Sequence, residues 1–279
     1  MRQTSIWLVI AVAAVMPAFG GPIVDLGTAS SFGLIGGTIS NTGTSVVTGN
    51  VGATTTITGF YPTGTATGTV YPAPSNSTAD QAYLDFEGAY NTAKTDPSTL
   101  SFAGLTTSQT FLGNNVYLST ATNISSTTGI NLTFDAQNNP NAVFIIQIPG
   151  AFTANGALTF SLLNGAAADN IFWIVGTDAT ISVGSSGPIT FDGNILAGDT
   201  FTMSAAAGGV LAGTINGCVF AENANTLAGT TDVGGCAATT AGGVGSVPEP
   251  GSAGLVGLGG LIGILAWRKF RVSLGASAR

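Results

Sequence analysis

The sequence predicts a mainly β fold of short stacked strands, and three observations carry that expectation. Four apolar runs recur, at residues 143–148, 171–175, 194–197 and 218–221. Each of the first three is followed by a Gly-containing break and an alternating stretch rich in Thr and Ser, then a second alternating stretch and the next run. The unit length is uneven, roughly twenty to thirty residues, as in solenoids and arrays. Strands rich in β-branched and aromatic residues and bounded by Gly, Asn, Asp or Pro suit such coils. One coil cannot bury its apolar side alone, whereas stacked coils bury a continuous core. A two-sheet sandwich also has many short strands at regular spacing, and periodicity does not separate the two.

Residues 1–20 read as a secretory signal peptide, with Arg2 as a positive start, an apolar core at 6–15, and small Ala18 and Gly20 before a cut at Gly21. Residues 26–52 repeat the central theme and read as the first coil. Residues 54–70 continue as a Thr/Gly-rich loop or strand pair with a turn at 59–62. Residues 71–74 (Tyr-Pro-Ala-Pro) break the pattern. One helix is expected at 77–94, capped by Ser77, Thr78 or Asp80 and stopped by Pro97. Ala82, Phe86, Ala89 and Ala93 form its apolar stripe, flanked by Tyr83 and Tyr90, with Asp80, Asp85 and Glu87 on its solvated side. β-character returns from 105 and runs through a last coil at 223–233. A Gly/Ala/Thr linker at 237–246 precedes Val247, Pro248, Glu249 and Pro250, an apolar stretch at 251–267 and the basic residues 268–271. That stretch is short for a membrane span, although Trp267 and the basic cluster sit where an inner interface would place them.

Composition narrows the function. Of 279 residues 41 are Gly, 44% are hydrophobic and only 7% are charged. This is too apolar for disorder, and the glycines have no Gly-X-Y period, which excludes collagen. The length suits one large domain or two small ones. Between the terminal segments, twelve of the thirteen acids face a single base, Lys94. Such a surface repels phosphate and excludes nucleic acid as a partner. Histidine is absent, which removes the commonest general base and metal ligand, and there is no calcium-loop motif. No metal or cofactor is expected. Asp135, Asp169, Asp178, Asp192 and Asp199 can in principle supply the carboxylate pair of a carbohydrate-active solenoid enzyme. Most sit in apparent turns, where Asp is at home, so no catalytic role is assigned. Cys218 and Cys236, an even pair in an exported chain, read as one disulfide, with two free buried thiols as the alternative.

Residues 247–271, with their Pro-Glu-Pro start, Gly/Leu-rich apolar stretch and basic end, resemble the PEP-CTERM sorting tail of Gram-negative bacteria. The resemblance implies recognition by an exosortase-type membrane protease, and delivery to the cell surface or an extracellular polysaccharide matrix. The tail would meet the membrane through 251–267 before processing. Residues 26–233 resemble the microbial ice-binding (antifreeze-like) family. The likeness rests on residues 26–32 (Leu-Gly-Thr-Ala-Ser-Ser-Phe), 41–43, 48–52 and 58–60, on 135–148 (Asp-Ala-Gln-Asn-Asn-Pro-Asn-Ala-Val-Phe-Ile-Ile-Gln-Ile), on 170–176 (Asn-Ile-Phe-Trp-Ile-Val-Gly) and on 193–197. That family implies a triangular β-solenoid with a discontinuous first coil and one long α-helix packed alongside. It implies a partner, ice or ordered water, that needs no catalytic residue, and the chain is expected to act as a monomer.

Strand alternation picks the side chains for such a surface. With Phe152 and Ala154 inward, Thr153 and Asn155 point out. With Ile181 and Val183 inward, Thr180 and Ser182 point out. With Phe201 and Met203 inward, Thr200, Thr202 and Ser204 point out. Ile39 inward leaves Thr38, Ser40 and Thr42 outward, and Leu227 inward leaves Thr226 outward. A second candidate face, with Thr48, Thr159, Ser161, Thr190 and Asp192, is the poorer because of its Asp. There is no regular Thr-x-Thr in every coil, and Thr is in any case a good residue for exposed strands. The leading expectation is an ice-binding protein at the cell surface or in the matrix. The alternative is a structural or adhesive matrix protein that uses the same scaffold without touching ice.

Overall fold

A strand buried on both faces reads as a continuous apolar run, and one buried on a single face must alternate. The two kinds of run in this sequence separate on that rule. The structure is a computed structural model and describes residues 21–60, 63–74, 76–127, 129–156, 158–183, 188–204 and 211–236. The signal peptide, the linker, the Val247–Pro250 motif and the apolar stretch at 251–267 lie outside the described residues. No described helix is long and apolar enough to cross a membrane.

Every strand pair among the described residues is parallel, in three sheets. A sandwich would need antiparallel pairs, so the parallel ladders decide for the solenoid. Each turn of the chain visits a helix face, a threonine face and a third face in the same order. The helix face holds Phe144–Ile148, Ile171–Val175 and Asn194–Ala197, all fully buried. Their inward side chains, such as Ile146, Trp173 and Ile195, join the coil interior. Their outward ones, such as Ile145, Phe172 and Leu196, lie in a second cluster beneath the helix. The interior is aromatic at its centre: Trp173 stacks on Phe152 with centroids 5.3 Å apart, and Phe191 lies 5.4 Å from the same indole.

The helix spans Ser77–Thr95 and buries Ala79, Ala82, Phe86, Ala89, Tyr90 and Ala93. Its cap differs from the sequence expectation. Asn76 is the N-cap, and its side chain accepts from the amides of Thr78 and Ala79. Ser77 and Thr78 fall inside the first turn, where their own amides need a partner. Replacing Asn76 by Ala should cost about 1 kcal/mol, read by denaturant unfolding. At the other end Gln147 Nε2 donates to the Ala93 and Asp96 carbonyls at 2.7 and 2.8 Å.

The helix also explains why the coils are discontinuous. The strands Phe32–Asn41 and Asn50–Thr58 stack not on the next segment but on Val219–Leu227 and beyond it, at the far end from Leu100–Phe102. Residues read as a single leading coil, with a loop or strand pair to follow, thus form two full layers. Ile57, flanked by Thr56 and Thr58, makes the same in–out pattern as Ile181 and extends the threonine face. At 1.5 Å per residue the helix is about 28 Å long. It runs from Gly52, beside Ala79, to Gln147, across five strand spacings of about 4.8 Å each. It carries the chain back along the stack so that the remaining coils can fill in.

Asp85 is not simply solvated. It accepts from the amide and hydroxyl of Thr28 at 2.7 and 2.6 Å and from Gln81 Nε2 at 2.8 Å, tying the helix to the N-terminal segment. The Thr28 hydroxyl is the main cause that holds its carboxyl below the usual range, against a smaller opposing effect of burial. A lowered folded-state pKa means stability present at neutral pH and lost on acidification, from about pH 4 downward. Asp85→Asn should therefore lower the melting temperature at neutral pH and flatten its fall over that window, so that the difference from wild type closes in acid.

Cys218 and Cys236 are joined, with Cα atoms 4.6 Å apart and a sequence separation of 18. The bond closes the end of the last coil onto the helix face. By the loop-entropy relation, Cys236→Ser should cost about 3 kcal/mol, read as a lower denaturant midpoint.

Candidate functional site

The threonine face is built from seven parallel segments. In stacking order they are Ile124–Ser125, Phe152–Asn155, Ala179–Ser182, Thr200–Ser204, then the second halves of Val219–Leu227, Phe32–Asn41 and Asn50–Thr58. Their inward residues Phe152, Ala154, Ile181, Phe201, Met203, Leu227 and Ile39 are buried. Alternation then forces the intervening side chains outward, and all eleven predicted positions are at least partly exposed. Glycine shapes the edge of the face. At Gly176 a Cβ would collide with the Pro149 carbonyl, so the chain turns there only without a side chain.

Register brings the outward side chains into rows. The middle row reads Ser125, Thr153, Thr180, Thr202, Thr226, Ser40, Thr58 across seven neighbouring strands. On one side Thr200, Ala224, Thr38 and Thr56 are in register. On the other lie Asn155, Ser182 and Ser204. Neighbours in a row are about 4.8 Å apart and rows about 6.6–7 Å apart. Thr42 falls one residue past its strand and stays outside the rows, its amide donating to the Leu227 carbonyl at 3.0 Å. Ser125, Thr56 and Thr58 belong to the face and escaped the sequence reading. Their signal was Ile124 and Ile57, single inward residues in segments too short to show alternation twice.

The rows differ in how far they are occupied by the protein itself. Thr200 Oγ1 donates to Asp178 Oδ1 at 2.6 Å, and Asn155 Nδ2 to Ser125 Oγ at 2.9 Å. Thr58 Oγ1 reaches the Ile39 carbonyl at 3.4 Å. The hydroxyls of Thr153, Thr180, Thr202, Thr226 and Ser40 have no hydrogen-bond partner among the described residues. No charged side chain stands in any of the three rows.

The third face is the contrast. It is split between a sheet holding Gln109–Leu112, Asn131–Asp135 and Thr159–Leu163 and a five-stranded sheet that begins at Ile189–Asp192. Several of its polar groups engage one another: Thr159 and Ser161 donate to Asn131 Oδ1 at 3.1 and 3.2 Å, and Asn216 Nδ2 to Asp192 at 2.7 Å. Leu112, Leu163 and Val46 stand exposed on it. Thr190 lies in register with Thr214, and Thr48 sits at a turn.

Four of the five acids that could in principle supply a catalytic pair instead link one coil to the next through their carboxylates. Asp178 holds Thr200, Asp199 accepts Asn223 Nδ2 at 2.6 Å, and Asp192 holds Asn216. Asp135 accepts Asn164 Nδ2 at 2.7 Å, and this bond chiefly keeps its carboxyl below the usual range. No group of three or more potential metal ligands occurs among the described residues.

A three-sided parallel solenoid with one in-register, uncharged hydroxyl-and-methyl face defines the class of this protein. Residues 34–232 match the ice-binding-like family model, and the chain belongs to that family. Residues 246–271 match the PEP-CTERM protein-sorting motif. An ice-binding protein of Nostoc sp. (strain HG1) is 35% identical over 251 residues, which cover 88% of this chain and 86% of that protein. The ice-binding protein of the Antarctic ascomycete Antarctomyces psychrotrophicus has the same fold at 30% identity and TM-score 0.64, over 75% of this chain and 97% of the other. An ice-binding protein from an Antarctic biological consortium is 28% identical with TM-score 0.64, over 82% and 93% of the two chains.

Proposed function

We propose that this protein adsorbs to ice through its threonine face. The observation that carries the reading is the middle row, where five successive strands present hydroxyls without protein partners on a regular, uncharged grid. Methyl groups at that spacing hold water in cages beside the surface, and the free hydroxyls anchor those waters. Water already ordered in this way can join an ice lattice. A charge would bind water too strongly and in the wrong geometry. The relatives named as ice-binding proteins support the same reading. The chemistry needs neither catalysis nor cofactor.

The chain layout completes the proposal. A signal peptide at 1–20 exports the chain, residues 21–236 form the solenoid, and 237–246 link it to the sorting tail at 247–279. The PEP-CTERM motif supports processing by an exosortase-type protease and delivery to the surface or matrix of a Gram-negative cell. Before processing, residues 251–267 would hold the chain in the membrane. The solenoid works as a monomer, bringing its face to ice to slow crystal growth or recrystallisation, or to hold cells near ice.

The test is partitioning of residues 21–246 into slowly grown ice, with recrystallisation inhibition measured on the same sample. Enrichment in the ice fraction is expected. A folded protein left in the liquid would overturn the reading, and binding to polysaccharide would then favour a matrix role.

A further inference from the structure

The face is continuous in space and discontinuous in sequence, because its last two strands come from residues 38–58 and the rest from 124–227. Parallel apolar coils are poor at fixing their own register. A slip of two residues keeps every side chain on its side and still buries the core. At this junction the interior is conspicuously polar. Asn225 points inward with no exposure, between Phe201 and Ile39 in a row that elsewhere holds Phe152 and Ala179. Its Nδ2 donates to the Ile35 carbonyl at 2.6 Å, across 190 residues of sequence. Its Oδ1 is buried without a partner. The Ile35 carbonyl lies beside the irregularity at Gly36–Thr38, where regular pairing lapses on both sides of the strand. Gly36 leaves the space, since a Cβ there would come within 2.5 Å of the Asn225 amide nitrogen. A second buried group, Ser45, accepts from the Thr231 amide at 3.0 Å, while its hydroxyl points to Asn41 Oδ1 at 2.8 Å with the Gly229 carbonyl at 3.2 Å.

We propose that Asn225, with Ser45 as a second key, is a positioning residue that sets the register between the N-terminal strands and the last coil. In this way it aligns Ser40 and Thr58 with Thr226 and Thr202 on the ice face. An apolar residue would fit the interior row better, so the amide's service is specificity: only one register puts a carbonyl opposite its donor. Buried polar groups fix alignment in other repeating assemblies by the same logic. The functional part of this inference rests on the proposed ice reading, and the register part does not.

The test uses paired cysteines and a short thiol crosslinker in the full chain. The Ser40→Cys/Thr226→Cys pair, directly opposed in register, should crosslink efficiently when Asn225 is present. In an Asn225→Leu background its yield should fall several-fold, and that of the slipped pair Ser40→Cys/Ala224→Cys should rise. The Thr180→Cys/Thr202→Cys pair, within the continuous segment, should be unchanged, whereas general loosening would lower both. Ice partitioning should fall with the Ser40/Thr226 yield. Unchanged Ser40/Thr226 crosslinking in Asn225→Leu would overturn the proposal. Should that variant not fold, Ser45→Ala is read in the same way. Failure of the wild type to enter ice, with the crosslink result as expected, would remove the ice reading and leave the register key standing.

Discussion

Thr202→Tyr should abolish partitioning into ice while leaving the melting temperature almost unchanged. Thr202 is the central member of the seven-strand middle row, in register with Thr180 on one side and Thr226 on the other. Its own chain neighbours Phe201 and Met203 are buried, so the side chain at 202 stands on the solvent side. A phenol ring there rises above the plane of its neighbours and holds the flat surface away from the crystal. It also removes one methyl and one unpartnered hydroxyl from the grid. Surface substitutions of this kind shift stability by about 0.5 kcal/mol or less. Loss of ice affinity with intact folding therefore separates the face from the scaffold. The measurement is the ice-phase fraction of wild type and variant at equal concentration, with unfolding curves of both.

Trp173→Ala should have the largest effect on stability. Trp173 is wholly buried, stacks on Phe152, and packs against Phe134, Phe160 and Phe191 from three successive coils. Its indole Nε1 donates to the Asp192 carbonyl at 3.1 Å. Truncation leaves a cavity at the centre of the stack and an unpaired buried carbonyl. The expected cost is about 3–5 kcal/mol. For a domain of this size that lowers the melting temperature by about 10 °C or more. A calorimetric scan decides it, and a shift of only a degree or two would mean that the coils collapse around the gap.

Much of the fold was legible because its signals are local. Ile171–Val175 reads as a strand buried on both faces, since no polar residue interrupts it, and the structure covers it with the helix on one side and the coil interior on the other. The helix stripe from Ala82 to Ala93 is the apolar surface that covers those strands. Alternation around Phe201 and Met203 placed Thr200, Thr202 and Ser204 outward without knowledge of any partner strand. What stayed hidden depends on distant neighbours. Thr58 joins the middle row only because Ser40 lies beside it, and Ser40 only because Thr226 does. Alternation from Leu227 already turns Asn225 inward, but its partner, the Ile35 carbonyl 190 residues away, emerges only from the packing. The free hydroxyls of the middle row and the bonded hydroxyls of Thr133, Thr159 and Ser161 on the third face belong to the same residue types. What distinguishes them is whether an Asn such as Asn131 stands within reach.

The most direct measurement compares the two faces on one ice crystal. Fluorescently labelled wild type, Thr202→Tyr and Thr133→Tyr would each be allowed to adsorb to a growing single-crystal hemisphere. Thr133 lies in the third face, in register with Thr110 and Ser161. The account predicts that wild type and Thr133→Tyr coat the ice and that Thr202→Tyr leaves it dark. Bright ice with Thr202→Tyr and dark ice with Thr133→Tyr would contradict it and move the ice surface to the third face.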